Sequence, residues 1–409
     1  MTNDSDIPLP WSVLQKQLLR FFALYFFIYF YTPFFDYAWD PIVLWTGQQL
    51  HIWKQITVYP NGSGDTTYNY IQLLCMVIIA FIGSIIWWLV DRRRKSYNTL
   101  LYWIIALMRY CIAYYMLSYG CSKISHSQFP YPPFRTLIKP YGDATPMNLA
   151  WTFMGYSRAY NVFTGSLEVV GGLLLLFRRT TMFGCLFTMT VLCNIVALNF
   201  CYDIPVKLFS SHLLLATVFI CSPYIPRLWS FFITHKKLEI PPAIAIYNTS
   251  RQRWARGIIK GLVFILLGWG QLGTINAYSE FFKKPPLYGL YEVDSHIHNR
   301  DTLAPLITSD KVWHYMAIDM NNAAYIQTTN GQGKRYMCSI DSIKHTIRLL
   351  TDEDPVGNIY SYTKDKGQLN LLSIKPGDTT NIHMHNKPLS SFRLANTGFH
   401  WINEYPNNK

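Results

Sequence analysis

Charge is scarce in this chain. Only 14% of its 409 residues are Asp, Glu, Lys or Arg, where a soluble domain averages about 25%. The deficit is uneven. Residues 1–275 hold nearly all the long apolar runs, and residues 276–409 read as an ordinary soluble domain. A single cytosolic domain is therefore excluded. Pairing motifs are missing too. The eight cysteines contain no CxxC, and seven lie in or beside apolar segments, leaving Cys338 alone in the tail. No disulfide framework is encoded. Cys121 and Cys201 fall near the same membrane face in the topology below, where a bridge and two free thiols both fit. No nucleophile elbow, phosphate loop, HExxH or zinc spacing occurs.

The charge that is present is unevenly signed. The net charge is +13, and it divides sharply: residues 1–275 carry 22 basic and 10 acidic side chains, while residues 276–409 carry 14 and 13. The excess belongs to the apolar half, where short loops use Lys and Arg to set orientation. No basic stripe remains to grip phosphates, and no nucleic-acid partner is expected.

A hydrocarbon core of about 30 Å needs about 20 apolar residues in a helix. Such segments lie near 13–33, 68–90, 99–119, 160–177, 180–199, 205–223 and 257–275, which predicts a bundle of about seven transmembrane helices in contact with the lipid bilayer. Lys16 and Arg20 precede the first apolar run as in a signal peptide. That run is too long and aromatic, and no small-residue cleavage site follows, so an uncleaved helix is expected. With the N-terminus in the cytoplasm, the cytoplasmic stretches carry 15 Lys and Arg, including Arg92, Arg93, Arg94 and Lys95, against 6 in the outer loops. Seven spans then put the C-terminal domain outside the cytoplasm. Two outer loops are long. Residues 34–67 hold Trp39, Trp45, Trp53, Asp36, Asp40 and Asp65, and residues 120–159 contain FPYPPF. Such aromatics form an interfacial belt or a lid over a site.

From Tyr288 onward short alternating runs replace the apolar ones. Tyr291, Val293, Ser295 and Ile297 share one strand face; Glu292, Asp294, His296 and His298 share the other. Further runs near 311–319, 323–329, 334–340, 344–350, 358–363, 368–374 and 379–386 are punctuated by NGQG, DPVG, KDKG and KPGD. About eight short strands predict an all-β, up-and-down meander closing into a small barrel. The expected organisation is a transmembrane bundle at 1–275, a linker at 276–287 and a β domain at 288–409. Phe399, Trp401 and Tyr405 are expected to seal one barrel mouth or to dock on the outer loops. The pairs His296/His298 and His383/His385 are each expected on the polar strand face; they are read as solvated histidines, with a metal site as the sharper alternative.

An ionisable residue inside a membrane helix is costly and marks a functional candidate. Arg109 lies in the third apolar segment and Glu168 in the fourth. Adjacent antiparallel helices bring both near the midplane, as an ion pair that fixes register or as part of a site. Tyr102, Arg109, Met116 and Lys123 recur every seven residues and share a face, and Gly165, Glu168, Gly171 and Gly172 lie near one side of the next helix. Small residues there allow close helix approach. Asp203, Lys207 and His212 lie near the outer end of the sixth segment. Arg109, Lys123, Glu168, Asp203, Lys207 and His212 are therefore the candidate ligand-binding set, in one polar cluster opening outward.

The stretch from Arg109 to Pro223 resembles the DoxX-like family of bacterial membrane proteins. The resemblance is carried by YGCSKISHSQF, NVFTGSLEVVGGLLLL and LNFCYDIPVKLFSSHLLL, and by Gly120, Lys123, Glu168, Gly171 and Gly172. The larger bundle is distantly similar to the membrane region of vitamin K-dependent γ-carboxylases. The tail, opening GLYEVDSHIHN and closing GFHWINEYP, resembles the lipocalin-like domains attached to some large DoxX-like proteins. The resemblance implies a multi-pass protein of the bacterial plasma membrane with a periplasmic tail. It also implies a pocket for a lipophilic or quinone-like ligand in support of a membrane redox process, with a redox partner protein. No haem, flavin or iron–sulfur motif is present, so quinone is the cofactor in view. The alternatives are a non-enzymatic carrier whose barrel takes a lipid or small ligand, and an enzyme of the γ-carboxylase type.

Overall fold

The computed structural model describes residues 11–31, 36–52, 62–235, 283–375, 378–402 and 404–406, with isolated positions between 54 and 56 and between 254 and 273. Among the described residues, six helical segments are long and apolar enough to cross a membrane: Val13–Tyr31, Thr67–Val90, Asn98–Ile124, Arg158–Leu176, Arg178–Cys201 and Lys207–Phe232. The expected seventh, 257–275, lies mostly outside the described residues. We number the helices α1 (Val13–Tyr31), α2 (Asp36–Gln49), α3 (Thr67–Val90), α4 (Asn98–Ile124), α5 (Phe134–Leu137), α6 (Pro146–Tyr156), α7 (Arg158–Leu176), α8 (Thr181–Cys201), α9 (Lys207–Cys221) and α10 (Ile225–Phe232).

Local chemistry sets the ends of these helices. Thr66 caps α3 in a capping box with Asn69, and the Ser157 hydroxyl accepts from the Tyr160 N–H at the start of α7. Asp65 does the same for α9 from a distant loop, accepting from the Lys207 and Leu208 N–H groups at 2.7 and 2.9 Å. Within the helix bundle a continuous apolar core runs through Phe26, Ala80, Met108, Ile112, Leu175, Cys185, Leu192 and Ile220. All eight cysteines are free, so Cys121 and Cys201 are not bridged.

The closest helix pair is α4 with α7, and glycine makes it so. A methyl group on Gly120 would lie 2.7 Å from the Gly165 carbonyl oxygen, and one on Gly165 would lie 2.6 Å from the Gly120 carbonyl oxygen. Two backbones therefore meet where neither helix has a side chain. This contact fixes the helices' relative height. Met116 lies beside Gly171 and Ala113 beside Gly172, so Arg109 falls level with Leu175, two turns away from Glu168.

The second compact unit comprises residues 130–145, 151–156 and 272–409. Its strands are β1 (Gly289–His298), β2 (Asp301–Thr302), β3 (Trp313–Ile318), β4 (Ala323–Thr328), β5 (Gly333–Asp341), β6 (Thr346–Leu350), β7 (Asn358–Asp365), β8 (Gln368–Lys375) and β9 (Asp378–Asn386). Each long strand pairs antiparallel with the next, and β9 returns to β1. The eight long strands thus form a closed barrel, with the short β2 alongside β1. Its interior is packed by Tyr291, Met316, Ile326, Ile347, Leu349, Leu369, Leu371, Ile382 and Met384, together with Cys338, Tyr360 and Tyr362. A small barrel is readily filled by its own side chains.

The structure adds a role for the last residue of FPYPPF and corrects the expectation for the aromatic end. Phe134 packs with Leu290 and Ala317 on the barrel's outer face, joined by Leu137, Ile138 and Tyr325, and its N–H donates to Asp319 at 3.2 Å. The aromatic end does not seal a mouth: Phe399 and Trp401 meet edge to face at 5.1 Å, yet they are 78% and 92% exposed.

Candidate functional site

The structure does not assemble the predicted set into one cluster. Glu168 pairs with Lys123, not with Arg109. The Arg109 Nε–H instead donates to the Leu175 carbonyl at 2.9 Å. The physical reason is the glycine contact, which offsets the two charges by two helical turns. Lys123 shares the heptad face of Arg109, and it is the cation at the height of the carboxylate. Glu168 is only 2% exposed. Among the described residues its Oε2 has no hydrogen-bond partner, and neither do Asn161 Oδ1 and, on α8, Thr188 Oγ1. Asn161 Nδ2 donates to the Phe129 carbonyl at 3.0 Å, and Lys123 Nζ lies 6.0 Å from the Phe129 ring. Among the described residues, the seam between α4 and α7 thus holds one ion pair and two acceptors without a partner, Glu168 Oε2 and Asn161 Oδ1.

His212 belongs to a separate, aromatic setting. Its ring stacks on Tyr29 with centroids 3.9 Å apart. Nδ1 faces the Leu208 carbonyl at 2.6 Å, and a carbonyl can only accept. In the neutral ring Nδ1 therefore carries the proton, and Nε2 accepts from the Tyr25 hydroxyl. Asp203 and Lys207 form a third group, bonded to each other at 2.7 Å across one turn, where Asp203 is largely exposed.

The paired histidines of the barrel are split by a β-bulge. Val293 pairs with Met384 and Ser295 with His383, so Asp294 is an extra residue in β1. The insertion reverses the alternation after it. His296, expected on the polar face, is buried against Trp313, and the Trp313 N–H donates to its Nδ1 at 3.3 Å. Burial, and then the charge of His298, push the His296 imidazole below its ordinary value. His385 stays outside with Asp294 at 2.7 Å, and His383 meets Asn370 at 2.8 Å. Among the described residues no group of three or more His, Cys, Asp or Glu could hold a metal ion.

A cavity of about 600 Å³ opens elsewhere in the bundle, lined by α1, the start of α4 and the end of α9. Leu18, Leu19, Phe22, Leu101, Leu215, Val218 and Phe219 make apolar walls, and Trp11, Gln15, Asn98 and Ser222 make a polar end. The Trp11 Nε1–H donates to Asn98 Oδ1 at 2.8 Å. Behind Trp11 stands Tyr97, whose ring centroid is 6.2 Å from that of Trp11. Two guanidinium groups lie against the Tyr97 ring: Arg20 at 5.0 Å and Arg94 at 5.1 Å. Sequence reasoning did not single out this site, whose one signal is Arg20: it stands before the apolar run, counts toward orientation, and yet is buried within α1.

Taken together, the described elements define a membrane-associated helical protein that carries a closed eight-stranded antiparallel β-barrel. A 120-residue stretch is 33% identical to the uncharacterized protein YwoB of Bacillus subtilis (strain 168), covering 27% of this chain and 70% of YwoB. The chain belongs to the same family as YwoB. No family model matches the chain, and no solved structure matches it.

Proposed function

We propose that this is a seven-span membrane protein that holds a lipophilic ligand in its helical bundle. The observation that carries the reading is the cavity among α1, α4 and α9, whose walls are apolar and whose one polar end lies at the helix termini. Such a shape suits a molecule with a hydrocarbon body and a polar head. The DoxX-like resemblance of Arg109–Pro223 suggests one form of that ligand, a quinone that supports a membrane redox process with a partner protein.

The apolar run 257–275 supplies the seventh span of this reading. The excess of Lys and Arg on the N-terminal side makes that side cytoplasmic and the lipocalin-like barrel periplasmic, in a bacterial plasma membrane. The packed barrel interior gives no support to a carrier role for that domain.

Mass spectrometry of the full chain purified in mild detergent tests the reading. About one lipophilic molecule should be released per chain on denaturation, and Val218→Trp, which fills the cavity, should lose it. An equal yield from both proteins would sink the proposal.

A further inference from the structure

We infer that the ligand of the α1/α4/α9 cavity is a lipid with an anionic head group, held at the polar end by the basic turn that precedes α4. The inference rests on the cavity reading and adds a charge to it.

The cavity alone would suit many amphiphiles; the electrostatics around its polar end narrow the choice. Trp11 lines the cavity and meets the Tyr97 ring, and that ring has a guanidinium on each of two contacts, from Arg20 and Arg94. Arg20 is 1% exposed. Its hydrogen bonds go to neutral oxygens: Nε and Nη2 to the Tyr97 hydroxyl at 3.1 and 2.8 Å, Nη2 to the Asp91 carbonyl at 3.4 Å, and Nη1 to Gln17 Oε1 at 3.3 Å. The nearby carboxylate, Asp91, is itself shared. It accepts from the Tyr97 hydroxyl at 2.9 Å and lies 3.6 Å from Arg94. Arg92, Arg93 and Lys95 follow on the same turn with exposed side chains. Among the described residues of this cluster, one carboxylate thus stands with five cations.

Orienting a membrane helix explains basic residues in a loop. It does not explain why one of them is buried without a carboxylate of its own, behind the tryptophan that lines a cavity. Basic pockets between helices at a membrane face bind anionic lipid head groups. Here the head group would sit beyond Trp11 and Asn98, near Arg93 and Lys95. Its chains would run along Leu18, Phe22, Leu215 and Phe219. A neutral quinone would fit the walls but would leave the positive end unanswered.

The full chain in mild detergent is mixed with equal amounts of phosphatidylglycerol and phosphatidylcholine of the same acyl chains, and retained lipid is counted by native mass spectrometry. One phosphatidylglycerol should be retained in preference. The double variant Arg93→Gln/Lys95→Gln should lower that preference about tenfold, and Val218→Trp should abolish retention of either lipid. Both replaced cations are exposed, so folding is not at stake in the charge variant. If Val218→Trp does not fold, brominated phosphatidylglycerol should quench the wild-type protein more than Trp11→Phe. Equal retention of the two lipids, lost in Val218→Trp, would overturn the anionic head group and leave the cavity reading standing. Retention unaffected by Val218→Trp, or no retained lipid because another segment of the chain fills the groove, would overturn both.

Discussion

At the scale of single residues, the costs are set by charges and polar atoms out of water. Lys123 and Glu168 pair in the seam between α4 and α7. Removing one partner strands the other, and this costs about 3–5 kcal/mol in typical buried pairs. Glu168→Leu and Lys123→Met should each lower the unfolding temperature in detergent, and the double variant should lose less than the sum. Arg109→Met combined with Glu168→Leu should be additive, because Arg109 bonds the Leu175 carbonyl. Strong coupling of Arg109 with Glu168 would contradict the register described above. Heptad spacing in the sequence revealed that Arg109 and Lys123 share a face. It could not reveal their height against α7, which a contact between two glycine backbones decides.

His296 gives a pH dependence. Its folded-state value is lowered by burial and by His298, so the unfolded chain takes up the proton first. Barrel stability is then complete above the ordinary histidine value of about 6.5 and falls as pH drops below it. The barrel's melting temperature should therefore be lower at pH 5.5 than at pH 7.5, and His296→Gln should remove that part of the difference. An unchanged slope in the variant would show that His296 stays solvated.

At the scale of elements, sequence periodicity found the strands well. Eight runs were expected and eight long strands close the barrel, because alternation and turn residues are local signals. The bulge at Asp294 was illegible. One residue too many in β1 is apparent only against the partner strand β9. The short helices α2 and α6 were hidden for another reason: their aromatic sequences look the same in a helix and in an interfacial loop. The α4/α7 contact yields a direct test. Gly120→Ala puts a methyl group 2.7 Å from the Gly165 carbonyl oxygen, where backbone has little room to yield. It should cost about 1–3 kcal/mol by thermal unfolding. Gly142→Ala, with nothing within 4 Å of the added methyl, should be near neutral, and equal effects at both positions would argue against the close approach.

At the scale of the whole molecule, the tail is not as self-contained as its sequence suggests. Phe134, Leu137 and Ile138 come from a loop between two membrane helices, yet they cover Leu290 and Ala317 on the barrel. A fragment spanning 283–409 should give a β-type circular dichroism spectrum but melt early and self-associate. A peptide of residues 130–145, added in excess, should raise its melting temperature. A fragment indifferent to the peptide would show that the covering contributes nothing. The proline and aromatic residues of FPYPPF gave no hint of this role, since residues that cover an apolar strand face are the same kinds that sit among lipid head groups.

That shared cover also imposes an order in time. During synthesis the loop bearing Phe134 emerges well before the first barrel strand exists, and β1 cannot meet β9 until almost the entire chain has been made. The loop must wait, with its apolar side chains unclaimed, for a partner at the other end of the polypeptide. The ribosome thus delivers a finished patch of barrel surface first and the barrel last. Any chaperone that meets the growing chain would find its earliest client in the segment around Phe134.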